Sequence, residues 1–124
     1  MEEKSKTASS GKRYDLEDRC FLFARRVRVL VGQLKLTAAN VEDSKQLIRS
    51  SGSVGANYIE ANEALSKRDF VLRAKISRKE AKESWYWLRL LDIGVSELEC
   101  ERQALVQEAG ELAKIFDAIV RKSE

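Results

Sequence analysis

The chain has no proline and no histidine, and only six glycines and two cysteines among its 124 residues. Without proline, and with so few glycines, the many tight turns of a sheet protein have nothing to mark them. The lack of histidine removes the commonest general base, the commonest metal ligand and every Ser-His or Cys-His nucleophile pair. Cys20 and Cys100 form neither a disulfide framework nor a CxxC-type metal spacing, so both are expected to be buried free thiols in a reducing compartment. No run approaches the roughly 18 apolar residues of a membrane span, and Met1 to Lys12 lacks the apolar core of a signal peptide. The expectation is a soluble, cytoplasmic protein with no membrane partner.

What is present reads as helix. Residues 1–13 are rich in Ser, Thr, Gly and Lys and have little to bury, so they are expected to form a flexible tail ahead of a domain spanning 14–122. From Asp15 onward, Leu16, Cys20, Phe23, Val27, Leu30 and Leu34 alternate at spacings of four and three, which aligns them along one helical seam. Asn40 reads as the cap of a second helix running from Val41 to about Ala64. Its stretch Ser50-Ser-Gly-Ser-Val-Gly55 has loop composition, yet Val41, Ser44, Ile48, Ser51, Gly55, Tyr58 and Asn62 carry the helical rhythm through it. The expectation is therefore one unbroken helix with a small-residue face, made for close approach by a neighbour. Ser66 with Asp69 caps a third helix, whose seam of Ala74, Ser77, Ala81, Ser84 or Trp85, Leu88 and Leu91 leads to a stop at Gly94. Ser96 with Glu99 caps a fourth, with Leu98, Arg102, Leu105, Ala109, Leu112, Phe116 and Ile119 in its seam and only Arg102 out of character. Four helices joined by short links point to an all-α, antiparallel up-down-up-down four-helix bundle.

Glu60 with Glu63, and Glu80 with Glu83, are the remaining candidates for chemistry, because paired glutamates build bundle di-iron sites. Those sites also draw on histidine, and folding the third helix back near Leu65 leaves the two pairs roughly 20 Å out of register at the helical rise. No catalytic residue, metal site or cofactor is assigned. Glu80 and Glu83 are instead expected to meet Arg49 as structural ion pairs, and Glu60 to meet Arg73 or a partner chain. Gly52 and Gly55 lack the strand and the Lys-Ser or Lys-Thr pair of a phosphate loop.

Charge is unevenly distributed. Lys67, Arg68, Arg73, Lys75, Arg78, Lys79, Lys82 and Arg89 face only Asp69, Glu80 and Glu83 on the third helix, eight cations against three acids and so +5. The fourth helix, from Glu97 to Asp117, has six acids against Arg102 and Lys114, or −4. The basic helix either neutralises an acidic neighbour or offers phosphates a stripe. Trp85, Tyr86, Trp87, Leu88, Leu90 and Leu91 wrap most of the third helix, and Phe21 lies within a similar apolar ring on the first. A monomeric bundle needs one apolar stripe per helix, so Phe21, Trp85, Tyr86 and Trp87 are candidates for a subunit interface.

Gln46-Leu-Ile-Arg-Ser-Ser-Gly-Ser-Val-Gly-Ala-Asn-Tyr-Ile-Glu-Ala61, Lys79-Glu-Ala-Lys-Glu-Ser-Trp-Tyr-Trp-Leu88 and Ile115-Phe-Asp-Ala-Ile-Val120 together resemble the bacterial four helix bundle protein family. Its relatives include products of intervening sequences within large-subunit ribosomal RNA genes. The resemblance runs from about Tyr14 to Val120 and implies a homopentamer with a central channel. It extends remotely to the accessory subunit of diversity-generating retroelements, which implies nucleic acid and a reverse-transcriptase-like protein as partners, and it brings no catalytic residues. The expected function is a non-enzymatic homo-oligomeric scaffold or adaptor that binds RNA or DNA weakly and with little sequence preference. Lys67, Arg68, Arg73, Lys75, Arg78, Lys79 and Lys82 would make the contacts. The alternative is a purely structural or protein-binding bundle.

Overall fold

The computed structural model describes residues 12–94 and 96–124. Four helices account for most of them: α1 (Lys12–Gly32), α2 (Ala38–Asn62), α3 (Lys67–Leu90) and α4 (Ser96–Ser123). No strand occurs among the described residues. Most of the tail assigned to 1–13 lies outside them, although 12 and 13 already belong to α1. The side chain of Ser96, read above as a cap, also lies outside the described residues.

The seam of α1 is legible because its apolar residues keep to one stripe. Leu16, Cys20, Phe23, Val27, Leu30 and Leu34 are all buried, and they join Leu88, Leu105, Leu112 and Phe116 from α3 and α4 in one core. Each large side chain fully removed from water contributes roughly 1.5–3 kcal/mol. The Tyr58 and Phe116 rings meet edge to face at 5.4 Å, joining α2 to α4 within that core.

α2 runs unbroken through Ser50 to Gly55. Its hydroxyls are satisfied where they are buried. Ser50 Oγ lies 2.9 Å from Ser84 Oγ, Ser84 Oγ lies 2.9 Å from the Glu80 carbonyl, and Ser77 Oγ donates to the Val54 carbonyl at 2.8 Å. A hydroxyl has a single proton and either serine can be the donor of the pair: Ser50 when Ser84 bonds the Glu80 carbonyl, Ser84 when Ser50 bonds the Leu47 carbonyl 3.3 Å away. These short side chains let α2 and α3 pack along their length, in the most extensive helix contact of the fold. Gly55 does the same toward α1: a Cβ there would stand 3.0 Å from Cys20 Cβ.

Several local expectations are corrected. Thr37, not Asn40, caps α2, its hydroxyl accepting from the Asn40 amide at 3.1 Å. Asn40 is buried and ties the two loops at that end together. Its Nδ2 donates to the Lys35 and Asp92 carbonyls at 3.2 and 2.9 Å, and its Oδ1 accepts from the Asp92 amide at 2.9 Å. The core face of α2 is Leu47, Ser50, Ser51, Val54, Tyr58 and Ala61, whereas Val41 is exposed and Ile48 half-buried. Because α2 packs on both α1 and α3, its buried face is broader than a single seam. α3 stops at Leu90, before Gly94, which takes a φ of 80° in the link that follows. Cys100 is exposed, while Cys20 is buried.

Cross-helix bonds set the register. Arg19 pairs with Glu108 and Arg26 with Glu101 between α1 and α4, so residue numbers rise on one helix as they fall on the other. Asn62 to Glu17 and Arg28 to the Ile48 carbonyl order α1 and α2 in the same sense. No helix of the described residues is long and apolar enough to cross a membrane.

Candidate nucleic-acid interface

The basic residues of α3 do not all share one face. Lys75, Arg78, Lys79 and Lys82 recur at helical spacing and line an open groove of about 730 Å³ with Gln46 and Arg49 of α2. Glu83, Tyr86 and Trp87 complete its lining. Lys67 and Arg68 line a second open groove of about 670 Å³ at the start of α3, which Lys75 shares. Arg73 points elsewhere: its Nη1 donates to Asn57 Oδ1 at 3.1 Å, so it does not meet Glu60.

Arg49 lies 3.4 Å from Glu83, which lines the main groove, and 3.7 Å from the buried Glu80. Glu80 is only 8% exposed, and its Oε1 accepts no hydrogen bond. The guanidinium at 3.7 Å and the Lys79 ammonium at 4.0 Å are its charge partners. Arg78 donates to Asp117 of α4 at 3.0 Å, and that bond, with help from Arg121, holds the Asp117 carboxyl below its ordinary range. Lys75 lies 3.1 Å from Glu124. Among the described residues, Lys67, Arg68 and Lys82 have no carboxylate within 4.0 Å.

Glu101 and Glu108 of α4 are turned toward α1, away from this groove. Arg19 of α1 grips Glu108 through two bonds of 2.7 and 2.9 Å, and Arg26 grips Glu101 through two of 2.9 and 3.0 Å. These bidentate bonds raise the pKa of both arginines. Each pair is partly exposed and contributes about 0.5–1 kcal/mol. Glu99 is bound by Arg102 and Gln103 on its own helix. The sequence reading missed the α1–α4 pairs, although a signal was present: Arg19 and Arg26 are seven apart, as are Glu101 and Glu108, and both sets flank apolar seams.

Arg102, the misfit of the α4 seam, also has a role. Its Nη1 donates to the Leu88 and Leu91 carbonyls at 3.0 Å each, closing the end of α3 where no backbone partner is left. Of the aromatic cluster, Trp87 is half-buried against the core, while Trp85 and Tyr86 are exposed, as is Phe21 on α1. Phe21 lines a separate, apolar groove of about 410 Å³ with Gly52, Gly55 and Ile59. Among the described residues, no group of three or more His, Cys, Asp or Glu could hold a metal ion.

Fold and groove together define a four-helix, all-α protein with a basic surface along its third helix. The model of the 23S rRNA-intervening sequence protein family matches residues 12–118, and the chain belongs to that family. Among solved structures it is similar to a protein with unknown function from the S23 ribosomal protein family of Bacteroides thetaiotaomicron. The two are 30% identical with a TM-score of 0.74 over 90% of this chain and 99% of that one. No curated protein matches the chain.

Proposed function

We propose that the protein is a non-enzymatic, cytoplasmic scaffold of up-down-up-down bundles that binds nucleic acid weakly, with little regard to sequence, through the α3 groove. The observation that carries this reading is the separation of charges. Glu101 and Glu108 are held by α1 arginines, so much of the acidity of α4 is unavailable to α3, and Lys75, Arg78, Lys79, Lys82 and Arg49 gather around one open groove. Such a surface attracts phosphate chains by releasing their counterions, and it contains no element shaped to read base edges. The exposed apolar side chains Phe21 and Trp85 support assembly into a cyclic homo-oligomer, five subunits being the number the family resemblance implies.

A second reading has its own support. Arg78 with Asp117 and Lys75 with Glu124 commit part of the α3 charge within the chain, as a purely structural or protein-binding bundle would. Fluorescence anisotropy with RNA and DNA oligonucleotides separates the two. Binding at about 50 mM salt should weaken steeply by about 200 mM, and replacing Lys75, Lys79 and Lys82 with glutamine should reduce the salt slope by roughly 0.7–0.9 for each phosphate no longer neutralised. No binding at micromolar protein and about 50 mM salt would leave the structural reading in its place. Light scattering that returned only the 14.1 kDa monomer would remove the assembly.

A further inference from the structure

Resting on that reading of the groove, we infer that it takes single-stranded rather than duplex nucleic acid, with an unpaired base stacked on Tyr86. The α3 cations of the groove, Lys75 to Lys82, span about 10 Å at the helical rise, and the lining as far as Tyr86 spans about 16 Å. At about 3.4 Å per stacked nucleotide, that lining spans roughly five phosphates of one strand. Beyond Lys82 the lining is Glu83, which Arg49 pairs at 3.4 Å, and then the aromatics Tyr86 and Trp87. Their rings meet edge to face at 5.1 Å, and Trp87 is half-buried against the core, so a half-buried ring backs an exposed one. Tyr86 is 52% exposed.

Trp85 is the less suitable platform, because the Arg89 guanidinium already covers its ring at 4.2 Å. A duplex keeps its base faces stacked on one another and could use only the cations of such a groove. A single strand can use the cations and the ring together, and each stacked base adds affinity without asking for a sequence. On this inference Tyr86 serves the nucleic-acid site in place of the subunit contact expected for it from sequence, and the oligomer mass of a Tyr86 variant distinguishes the two.

The test compares unstructured oligothymidine and oligouridine with a hairpin duplex of equal nucleotide number, by anisotropy at about 50 mM salt. The native protein should favour the single strands. Tyr86→Ala should weaken single-strand binding on the order of tenfold while leaving duplex binding and oligomer mass unchanged, and Tyr86→Phe, which keeps the ring, should bind like the native chain. Equal affinity for both forms, with Tyr86→Ala altering neither, overturns the inference and leaves the basic groove standing. Equal weakening of both forms, or a change in oligomer mass, makes Tyr86 a structural residue and also overturns it. If the native protein binds neither form, the reading of the groove itself fails and the inference fails with it.

Discussion

Gly52 and Gly55 lie one turn apart on α2, and adding one methyl group to each asks how closely α1 approaches. A glycine-to-alanine change inside a helix is worth up to about 1 kcal/mol of stabilisation, because alanine leaves less backbone freedom to lose. At Gly52 the nearest atom to a new Cβ is Arg28 Nη2 at 3.3 Å, the tip of an exposed and flexible side chain. It can move aside, so Gly52→Ala should stabilise the protein by about 0.5–1 kcal/mol. At Gly55 the new Cβ would meet Cys20 Cβ at 3.0 Å, with the Cys20 carbonyl carbon at 3.8 Å and the Phe21 nitrogen at 4.0 Å behind it. Carbon atoms prefer about 3.5–4.0 Å, so the α1 backbone itself must yield by roughly half an ångström or more. Overpacking of this kind costs about 1–3 kcal/mol, which cancels or exceeds the helical gain. Gly55→Ala should therefore fall about 1–3 kcal/mol below Gly52→Ala, and Gly55→Leu lower still. Urea unfolding at one fixed protein concentration, followed by circular dichroism, reads the difference directly. If both alanine variants were stabilised equally, α1 and α2 would not be in the close contact described, and the account of the small-residue face would be wrong.

Three further outcomes test the packing. Arg102→Ala should cost about 2–3 kcal/mol in the same unfolding assay, because it strips charged donors from the Leu88 and Leu91 carbonyls, and lysine should restore only part of that. Asn40→Asp should cost about 2 kcal/mol or more, since a carboxylate would replace an amide that donates to the Lys35 and Asp92 carbonyls; native-state hydrogen exchange should show both loops loosened. The Cys20 thiol is pushed up to about 12, chiefly by burial and secondarily by Glu108. Below the unfolded value of about 8.5 its contribution to stability is complete. Above that value the unfolded chain releases the proton and the folded chain keeps it, so stability should fall by up to about 1.4 kcal/mol per pH unit until pH reaches about 12. Cys20→Ala should flatten that slope, and a thiol reagent at neutral pH should modify Cys100 alone until denaturant exposes Cys20.

The α1 seam was written in the sequence because one unbroken row of large apolar residues has only one way to face a core, and all six of its members are buried. Continuity of α2 through Ser50 to Gly55 was legible for a related reason: the helical period persisted where propensity favoured a loop. The Ser66 cap could be read because both of its partners lie within one turn, and its hydroxyl accepts from the Asp69 amide at 3.0 Å. Asn40 shows where local reasoning stops. Its residue type suits a cap, but its partners at Asp92 lie on another loop, which no local pattern identifies. Arg102 was visible as an interruption, yet its purpose depends on where α3 ends in space. The charges divide in the same way. Composition placed excess cations on α3 and excess acids on α4, but only the tertiary structure decided that Arg19 and Arg26 would take Glu108 and Glu101. Helical periodicity specifies which face a side chain occupies on its own helix, and the neighbour that meets that face is chosen when the helices pack.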